Sequence, residues 1–112
     1  MTYNQRDIII VPFPFTDLSS IKQRPALIIS SDAFNKNEDV VVVAITSQVK
    51  TDLKFRVDIS NAGLESGILP KTSQARCDKI YTLNNSIVRK KIAKLNETIF
   101  RQIIACIENI YK

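Results

Sequence analysis

Two apolar β-type runs carry polar side chains at one end, and these side chains are suited to binding phosphate. Arg24 opens the run 24–30, whereas Thr46 and Ser47 close the run 41–47. The arginine guanidinium presents a fixed fork of donors that matches phosphate oxygens, and a hydroxyl adds a further donor. The sequence therefore predicts a phosphate-handling site at the ends of two strands.

The composition is that of one small basic domain. The 112 residues, taken as a single domain over 1–112, are close to the commonest domain size. Sixteen Lys and Arg residues against eleven Asp and Glu residues leave a net charge of +5. That surplus permits a nucleic-acid partner but does not establish one, since many basic domains bind no polyanion.

Cofactor and membrane signals are weak in this chain. The sequence has no histidine and two cysteines, Cys77 and Cys106, which are too few ligands for a structural zinc site. We therefore expect no metal or other cofactor, and two buried thiols in a reducing compartment. The first residues lack a signal-peptide pattern, and no apolar run approaches the length of a membrane span. These features predict a cytoplasmic protein with no membrane association.

The hydrophobic pattern predicts short strands followed by one helix. A buried strand over 7–11 is expected to end at the proline-containing segment 12–15, which should lie at a sheet edge or leave the sheet. A polar loop over 16–23 follows. Further strands are predicted over 25–30, 40–46, 55–59, 68–80 and 88–95, with a helical turn at 31–35 and turns at 61–64 and 65–67.

The helix is predicted at the end of the chain. Apolar residues recur at three- and four-residue spacing from Ile99 to Tyr111, and Asn96 is positioned as an N-cap. Five or six short strands and one terminal helix indicate a mainly β fold, a small and strongly curved barrel closed by the helix.

Four segments, 7–15, 24–30, 44–48 and 74–76, together resemble the MazF/PemK family of toxins from toxin–antitoxin operons. They supply a strand, a loop ending in Arg-Pro, a strand ending in Ser or Thr, and a late Gln-x-Arg. The resemblance implies an SH3-like barrel of the MazF/PemK/CcdB type, a homodimer, and a ribonuclease that cuts single-stranded RNA without a metal ion. It also implies a cognate antitoxin whose acidic, flexible segment occupies the RNA groove.

The resemblance also carries site residues. The family's catalytic pair is the Arg of the Arg-Pro step and a Thr or Ser at the end of the next long strand, which are Arg24 and Thr46 here. The loop before the Arg is usually glycine-rich, whereas this chain has no glycine there. Some members carry Arg and Asp just before the Gln-x-Arg, and by that register these positions hold Lys71 and Ser73. No acidic catalytic role is transferred to Asp78.

The chemistry suits these side chains because RNA is cut by its own 2′-hydroxyl. The enzyme must align the 2′-oxygen with the phosphorus and stabilise the added negative charge. Arg24 suits the second task, and Thr46 donates to the same phosphate, with Ser47 or Gln48 as a reserve donor. The usual general base, histidine, is absent and arginine is a poor base. Asp17 is an acidic candidate, and the base is left unassigned.

Several side chains admit two interpretations. Gln74 either reads a base edge or is an ordinary strand glutamine, and Arg76 either contacts phosphate or pairs with an acid at the dimer interface. Phe13 and Phe15 either stack on bases or pack in the core. The residues predicted to bind RNA are Asp17, Ser47, Gln48, Lys71, Ser73, Gln74 and Arg76.

The basic run 89–91 with Lys94 also has two interpretations. It either extends the RNA track by neutralising phosphates or forms a solvated charged edge that discourages aggregation.

Two other functions compete with RNA cleavage. A non-enzymatic toxin of the same barrel acts on DNA gyrase, but that class depends on an aromatic–Gly–Ile type tail, whereas this chain ends Glu-Asn-Ile-Tyr-Lys. A degenerate member that binds RNA or an antitoxin without cutting is the third possibility. The retained Arg24 and Thr46 argue against it, and the altered first loop keeps it open.

Overall fold

Seven β-strands and one α-helix form the part of the chain described by the computed structural model, residues 2–14 and 21–112. Of Phe13, Pro14 and Ile21, the backbone alone is described. The strands are β1 Asp7–Pro14, β2 Ile21–Ile28, β3 Asp39–Thr46, β4 Arg56–Ile59, β5 Leu64–Gly67, β6 Ser73–Asn84 and β7 Lys90–Leu95. Helix α1 spans Glu97–Ile110, and short 3-10 helices cover Phe34–Lys36, Asn61–Gly63 and Asn85–Ile87.

The strands form one antiparallel sheet in the order β4-β6-β3-β2-β1-β7-β5. The sheet curls into a half-barrel, and α1 packs against β4 and β6. The predicted mainly β fold with a C-terminal helix is therefore confirmed. The described residues contain seven strands instead of the expected five or six, because 65–67 pairs with β7 as a strand where the sequence predicts a turn.

Successive residues of the central strands enter two separate cores. Ile8, Leu27 and Val43 face the core that also contains Phe100 and Ile103 of α1. A second cluster lies on the other face of the sheet and contains Tyr3 and the residues next to these in the strands, Ile9, Ala26, Ile28 and Val42. Because side chains alternate along a strand, burial on both faces requires an uninterrupted apolar run. This explains the composition of β3, which was predicted as a central strand and lies between β2 and β6.

Proline does not end the first strand as the sequence predicts. The β1–β2 ladder continues through Pro12↔Gln23 to Pro14↔Ile21, so residues 21–23 also belong to a strand rather than to the predicted loop. On its other side β1 pairs with β7 only over Asp7–Ile10. Within the described residues, the proline-containing half therefore has β2 as its one sheet neighbour. A missing N–H is tolerated at such an edge, and the predicted edge position is confirmed.

A bulge bends β6 beside the end of β3. Val43 pairs with Ile80, but the next residue, Ala44, pairs with Arg76, so 77–79 have no partner on β3. Phe55 has a left-handed φ of 62° and its carbonyl accepts a hydrogen bond from the Cys77 amide at 3.1 Å. The bent strand begins at Ser73, whereas the sequence predicts a strand already at 68.

The helix begins where the sequence predicts it. The Asn96 side chain accepts a hydrogen bond from the Ile99 amide at 2.8 Å, as expected of an N-cap. Cys77 and Cys106 are free thiols, and burial, with the Cys106 thiol beside it, raises the pKa of Cys77. None of the described helices is long and apolar enough to cross a membrane.

Candidate nucleic-acid interface

The two predicted catalytic residues lie at the same end of the sheet. The β2–β3 ladder ends at Ala26↔Ala44, and two residues further along each strand are Arg24 and Thr46. Arg24 pairs with Val11 of β1, and Thr46 pairs with Gln74 of β6. Both side chains are half-buried, which is the environment of a residue at the rim of a core. The register therefore brings together residues that are far apart in the sequence.

A cavity of about 180 Å³ opens at this end of the sheet. Its lining combines two cations and two hydroxyls with apolar side chains: Arg24, Pro25, Ile45, Ser47, Leu69, Pro70, Lys71 and Ser73. Ile45 and Leu69 are almost completely buried and form an apolar wall. Charged donors against such a wall interact more strongly with an anion than donors in bulk water do. The cavity can therefore bind one phosphate group with the adjoining part of a sugar.

Of the predicted site residues that the structure describes, four line this cavity, and Thr46, Gln48, Gln74 and Arg76 do not. Arg24, Ser47, Lys71 and Ser73 are in the lining, and the Ser73 hydroxyl donates to the Lys71 carbonyl at 2.9 Å, which fixes the turn before β6. Thr46 is not in the lining, although it adjoins Ser47.

Thr46 has one hydrogen bond that orients its hydroxyl. Its Oγ1 accepts from the backbone amide of Gln48 at 3.1 Å, closing a tight turn directly after β3. A hydroxyl that accepts one bond can still donate its own hydrogen. The geometry thus leaves Thr46 able to donate to a phosphate, while the exposed Gln48 contributes its backbone to the turn.

Gln74 is buried, and its amide is fully used within the protein. Its Oε1 accepts from the Lys50 amide and from Arg56 Nη1, each at 3.1 Å. Its Nε2 donates to the Lys50 carbonyl at 3.1 Å and to Asp58 Oδ1 at 2.8 Å. An amide side chain has two donor hydrogens and two acceptor lone pairs. In this arrangement Gln74 has no capacity left to read a base edge.

Arg76 pairs with an acid on its own strand. Its Nη2 lies 2.9 Å from Asp78 Oδ2, and its Nε donates to Oδ1 at 3.3 Å. Partial burial raises the pKa of Asp78, but the hydrogen bonds and charge of Arg76 outweigh that effect and hold the pKa below its ordinary value. Of the two interpretations of Arg76, pairing with an acid is the one seen here, within a single chain.

Part of the basic run is tied to a buried carboxylate. Asp7 is 1% exposed, and its Oδ1 lies 3.1 Å from Lys91 Nζ and 3.9 Å from Lys94 Nζ. These contacts have ion-pair distances without hydrogen-bond geometry, since among the described residues Oδ1 has no hydrogen-bond partner. Two of the four cations therefore neutralise a core carboxylate, which weakens the case for a continuous RNA track.

Some predicted residues lie outside the described residues. Asp17 and Phe15 belong to 15–20, and the Phe13 side chain is likewise not described, so their predicted roles stay predictions.

No sequence pattern indicates the roles of Lys50, Arg56 and Asp58. With Gln74 they line a second cavity of about 260 Å³. A larger cavity of about 520 Å³ lies against α1 and shares no residue with either. Its two cations, Arg6 and Arg101, are balanced by two carboxylates, Glu97 and Glu108, so it lacks the excess of cations expected of a phosphate site. We therefore place the candidate interface at the strand ends.

Comparison with known proteins gives a consistent result. A family profile described as PemK-like, MazF-like toxin of type II toxin–antitoxin system matches residues 4–111. No curated protein matches the chain by sequence.

Solved structures with the same fold cover nearly the whole chain. The Mycobacterium tuberculosis toxin MazF-mt6 is 25% identical with a TM-score of 0.75, over 95% of this chain and 96% of that one. A mycobacterial endoribonuclease in complex with its cognate antitoxin is 20% identical with a TM-score of 0.77, over 97% and 94%. The MazE–MazF complex of Deinococcus radiodurans (form II) is 17% identical with a TM-score of 0.75, over 99% and 96%.

Proposed function

Because the chain belongs to the family of PemK-like, MazF-like toxins of type II toxin–antitoxin systems, we propose that it is an endoribonuclease that cuts single-stranded RNA. The observation that carries the proposal is the strand-end cavity. It places Arg24 and Lys71 beside the Ser47 hydroxyl at the end of the sheet where Thr46 also lies, while the Ser73 hydroxyl is used by the Lys71 carbonyl. Cations with hydroxyl donors around a small cavity fit a single phosphodiester better than a neutral ligand.

The cavity size limits what is bound inside. Pockets for whole small molecules measure roughly 300–1,000 Å³. At about 180 Å³ this cavity accommodates a phosphate group and part of a ribose, so the bases must lie outside it. A cut at a particular sequence then depends on bases held by neighbouring surfaces, as is usual for single-stranded RNA.

The proposed reaction uses the 2′-hydroxyl of the substrate. The 2′-hydroxyl loses its proton as its oxygen attacks phosphorus, the bond from phosphorus to the 5′-oxygen breaks, and the leaving 5′-oxygen takes up a proton. The products carry a 2′,3′-cyclic phosphate and a 5′-hydroxyl. Arg24 binds the non-bridging oxygens, on which negative charge accumulates, and Thr46 donates to the same phosphate. Ser47 and Lys71 supply further donors at the cavity mouth.

The proton of the 2′-hydroxyl needs an acceptor, which we leave unassigned. A general base works best with a pKa near the operating pH. Since Arg76 holds the pKa of Asp78 below its ordinary value, that carboxylate is a weak base. Asp17 remains the acidic candidate of the first loop.

The proposal includes protein partners and a location. A cognate antitoxin and a homodimeric assembly are proposed by family membership, and the structures with cognate antitoxin or MazE support the first of these. An acidic antitoxin segment is complementary to the +5 chain and would compete with RNA for the cations of the cavity. Action on RNA is proposed to take place in the cytoplasm.

The test is cleavage of a long single-stranded RNA by the purified protein in EDTA, with cut sites mapped by primer extension. We expect cuts at one short repeated motif, and products that end in a 2′,3′-cyclic phosphate. Replacing the nucleotide 5′ of the cut with its 2′-deoxy form should abolish cutting there while binding persists. A folded protein that cuts none of a varied set of RNAs would refute the enzymatic proposal and leave a non-cutting binder or a gyrase-directed toxin.

A further inference from the structure

The residues that follow β3 are anchored at three points. We call the segment Thr46 to Lys50 the exit turn. The first anchor is internal, since Thr46 Oγ1 accepts from the Gln48 amide at 3.1 Å. The second is Arg56, whose Nη1 donates to the Gln48 carbonyl at 3.1 Å. The third is Gln74, which bonds both the amide and the carbonyl of Lys50. Each side of the exit turn is therefore fixed to a neighbouring strand.

The Gln74 anchor is suited to hold a backbone rigidly. Two bonds to one residue reproduce the exchange of hydrogen bonds within an antiparallel pair, which fixes orientation as well as distance. Gln74 is 4% exposed, so breaking these bonds would leave a buried amide without partners, which is costly. Asp58 takes the remaining hydrogen of the amide at 2.8 Å and prevents it from turning over.

Arg56 connects the other two anchors. One guanidinium nitrogen, Nη1, lies 3.1 Å from both the Gln48 carbonyl and Gln74 Oε1. The side chain starts from β4, which pairs with β6 and not with β3. Arg56 therefore ties the exit turn to β4, the strand on the far side of β6 from β3.

From this geometry we propose that Arg56 and Gln74 are positioning residues for the cleavage reaction. They hold the exit turn so that Ser47 lines the strand-end cavity and the Thr46 hydroxyl keeps one orientation, and they act through the backbone without contacting RNA. The inference rests on the proposed function, because the exit turn matters for rate only if its hydroxyls bind the scissile phosphate. Misplacing a catalytic group by about 1 Å can cost about 10²-fold in rate.

A direct role of Arg56 in binding phosphate makes a different prediction. An arginine that contacts RNA contributes to affinity and to its salt dependence, and lysine replaces much of that contribution. A positioning arginine directs the two hydrogens of Nη1 at two acceptors from a planar, rigid group, which an ammonium on a flexible stem does less well. Loss of position lowers kcat, whereas loss of a contact to a phosphate that is held equally in the ground state and the transition state raises KM.

The experiment compares Arg56→Met and Arg56→Lys with Lys54→Met. Lys54 precedes β4 by two residues and, within 2–14 and 21–112, makes no hydrogen bond or ion pair, so its variant loses the same charge without touching an anchor. We expect both Arg56 variants to lower kcat, by about 10- to 100-fold for Arg56→Met, with KM within about threefold of wild type. Lys54→Met should keep the wild-type kcat.

Hydrogen exchange supplies a readout that does not need activity. The Lys50 amide donates to Gln74 Oε1 and should therefore be protected from exchange in the wild type. In Arg56→Met it should exchange at least tenfold faster, while the protein unfolds at the wild-type temperature.

The outcomes separate the inference from the proposed function. A wild type that cuts no RNA refutes the proposed function. The positioning role alone is overturned if the wild type cuts RNA and Arg56→Met has a normal kcat. It is likewise overturned if the wild type cuts RNA and Arg56→Lys has wild-type kinetics. An unprotected Lys50 amide in the wild type overturns the anchor itself.

Discussion

Replacing Gly67 with alanine should destabilise the fold by several kcal/mol. Gly67 lies at the end of β5 with a left-handed φ of 82°. A Cβ at this position would lie 2.3 Å from the Ile92 carbonyl oxygen and 2.5 Å from Ala93 Cα. Both obstructing atoms belong to the backbone of β7, so no side-chain rotation relieves the contact. The strand pair must separate or the chain must change its path before Ile68.

The magnitude follows from two contributions. A non-glycine residue held at positive φ costs about 1–3 kcal/mol. Forcing a methyl group against packed backbone adds about 1–3 kcal/mol. Together these predict a loss of about 2–5 kcal/mol from a total that is about 5–15 kcal/mol for a domain of this kind. The variant should therefore fold in buffer and unfold at a clearly lower urea concentration.

The chain contains its own control. Gly63, the other of its two glycines, has no positive φ, and a Cβ there would lie 3.3 Å from the Ile99 side chain, which can adjust. Gly63→Ala should change stability by no more than about 1 kcal/mol. The assay is equilibrium urea unfolding of both variants by circular dichroism. Equal stability of the two variants, or a Gly67→Ala variant within about 0.5 kcal/mol of wild type (a change of about 2.3-fold in the equilibrium constant), would refute the reasoning.

Two further predictions concern the helix and the surface ion pair. Asn96→Ala removes the bond to the Ile99 amide and should cost about 1 kcal/mol in the same unfolding assay, whereas an unchanged midpoint would show that the cap contributes nothing. Asp78→Asn should cost at most about 1 kcal/mol at pH 7, because the pair with Arg76 is solvent-exposed. Since folding lowers the pKa of Asp78, this difference should be fully present well above 3.8 and should vanish as the pH falls through the lower folded-state value. If the stability difference between wild type and Asp78→Asn grew as the pH was lowered, the predicted direction would be contradicted.

The sequence predicts the fold best where hydrophobic periodicity is long. The apolar run 40–46 predicts a buried strand, and the apolar residues at three- and four-residue spacing after Asn96 predict a helix. Both elements are found. Prediction fails where the secondary structure depends on strand pairing, because a short polar segment such as 65–67 becomes a strand only when β7 lies beside it. The prolines of β1 mislead for a similar reason, since a missing donor has no cost at an unpaired edge.

The site is predictable in part for the same physical reason. Ser47, Lys71 and Ser73 lie directly after β3 or around the start of β6, and Arg24 lies within β2 just beyond the end of its ladder with β3, so the register collects all four at one border of the sheet. The anchors of the exit turn were not predictable, because the bond from Gln74 to Lys50 spans 24 residues and depends on the bulge that sets the β3–β6 register. Nothing in the sequence pattern marks Arg56 as different from any other strand arginine.

The most direct test of the central claim is single-turnover cleavage of a short RNA that contains a mapped cut site. Arg24→Ala and Thr46→Ala are compared with Lys36→Ala, which removes an exposed cation from the 3-10 helix before β3, at the opposite end of that strand from Thr46. We predict that each site variant loses about 10²–10³ in rate while binding a 2′-deoxy analogue of the substrate, and that Lys36→Ala cuts at the wild-type rate. Wild-type cleavage rates in both Arg24→Ala and Thr46→Ala would contradict the account.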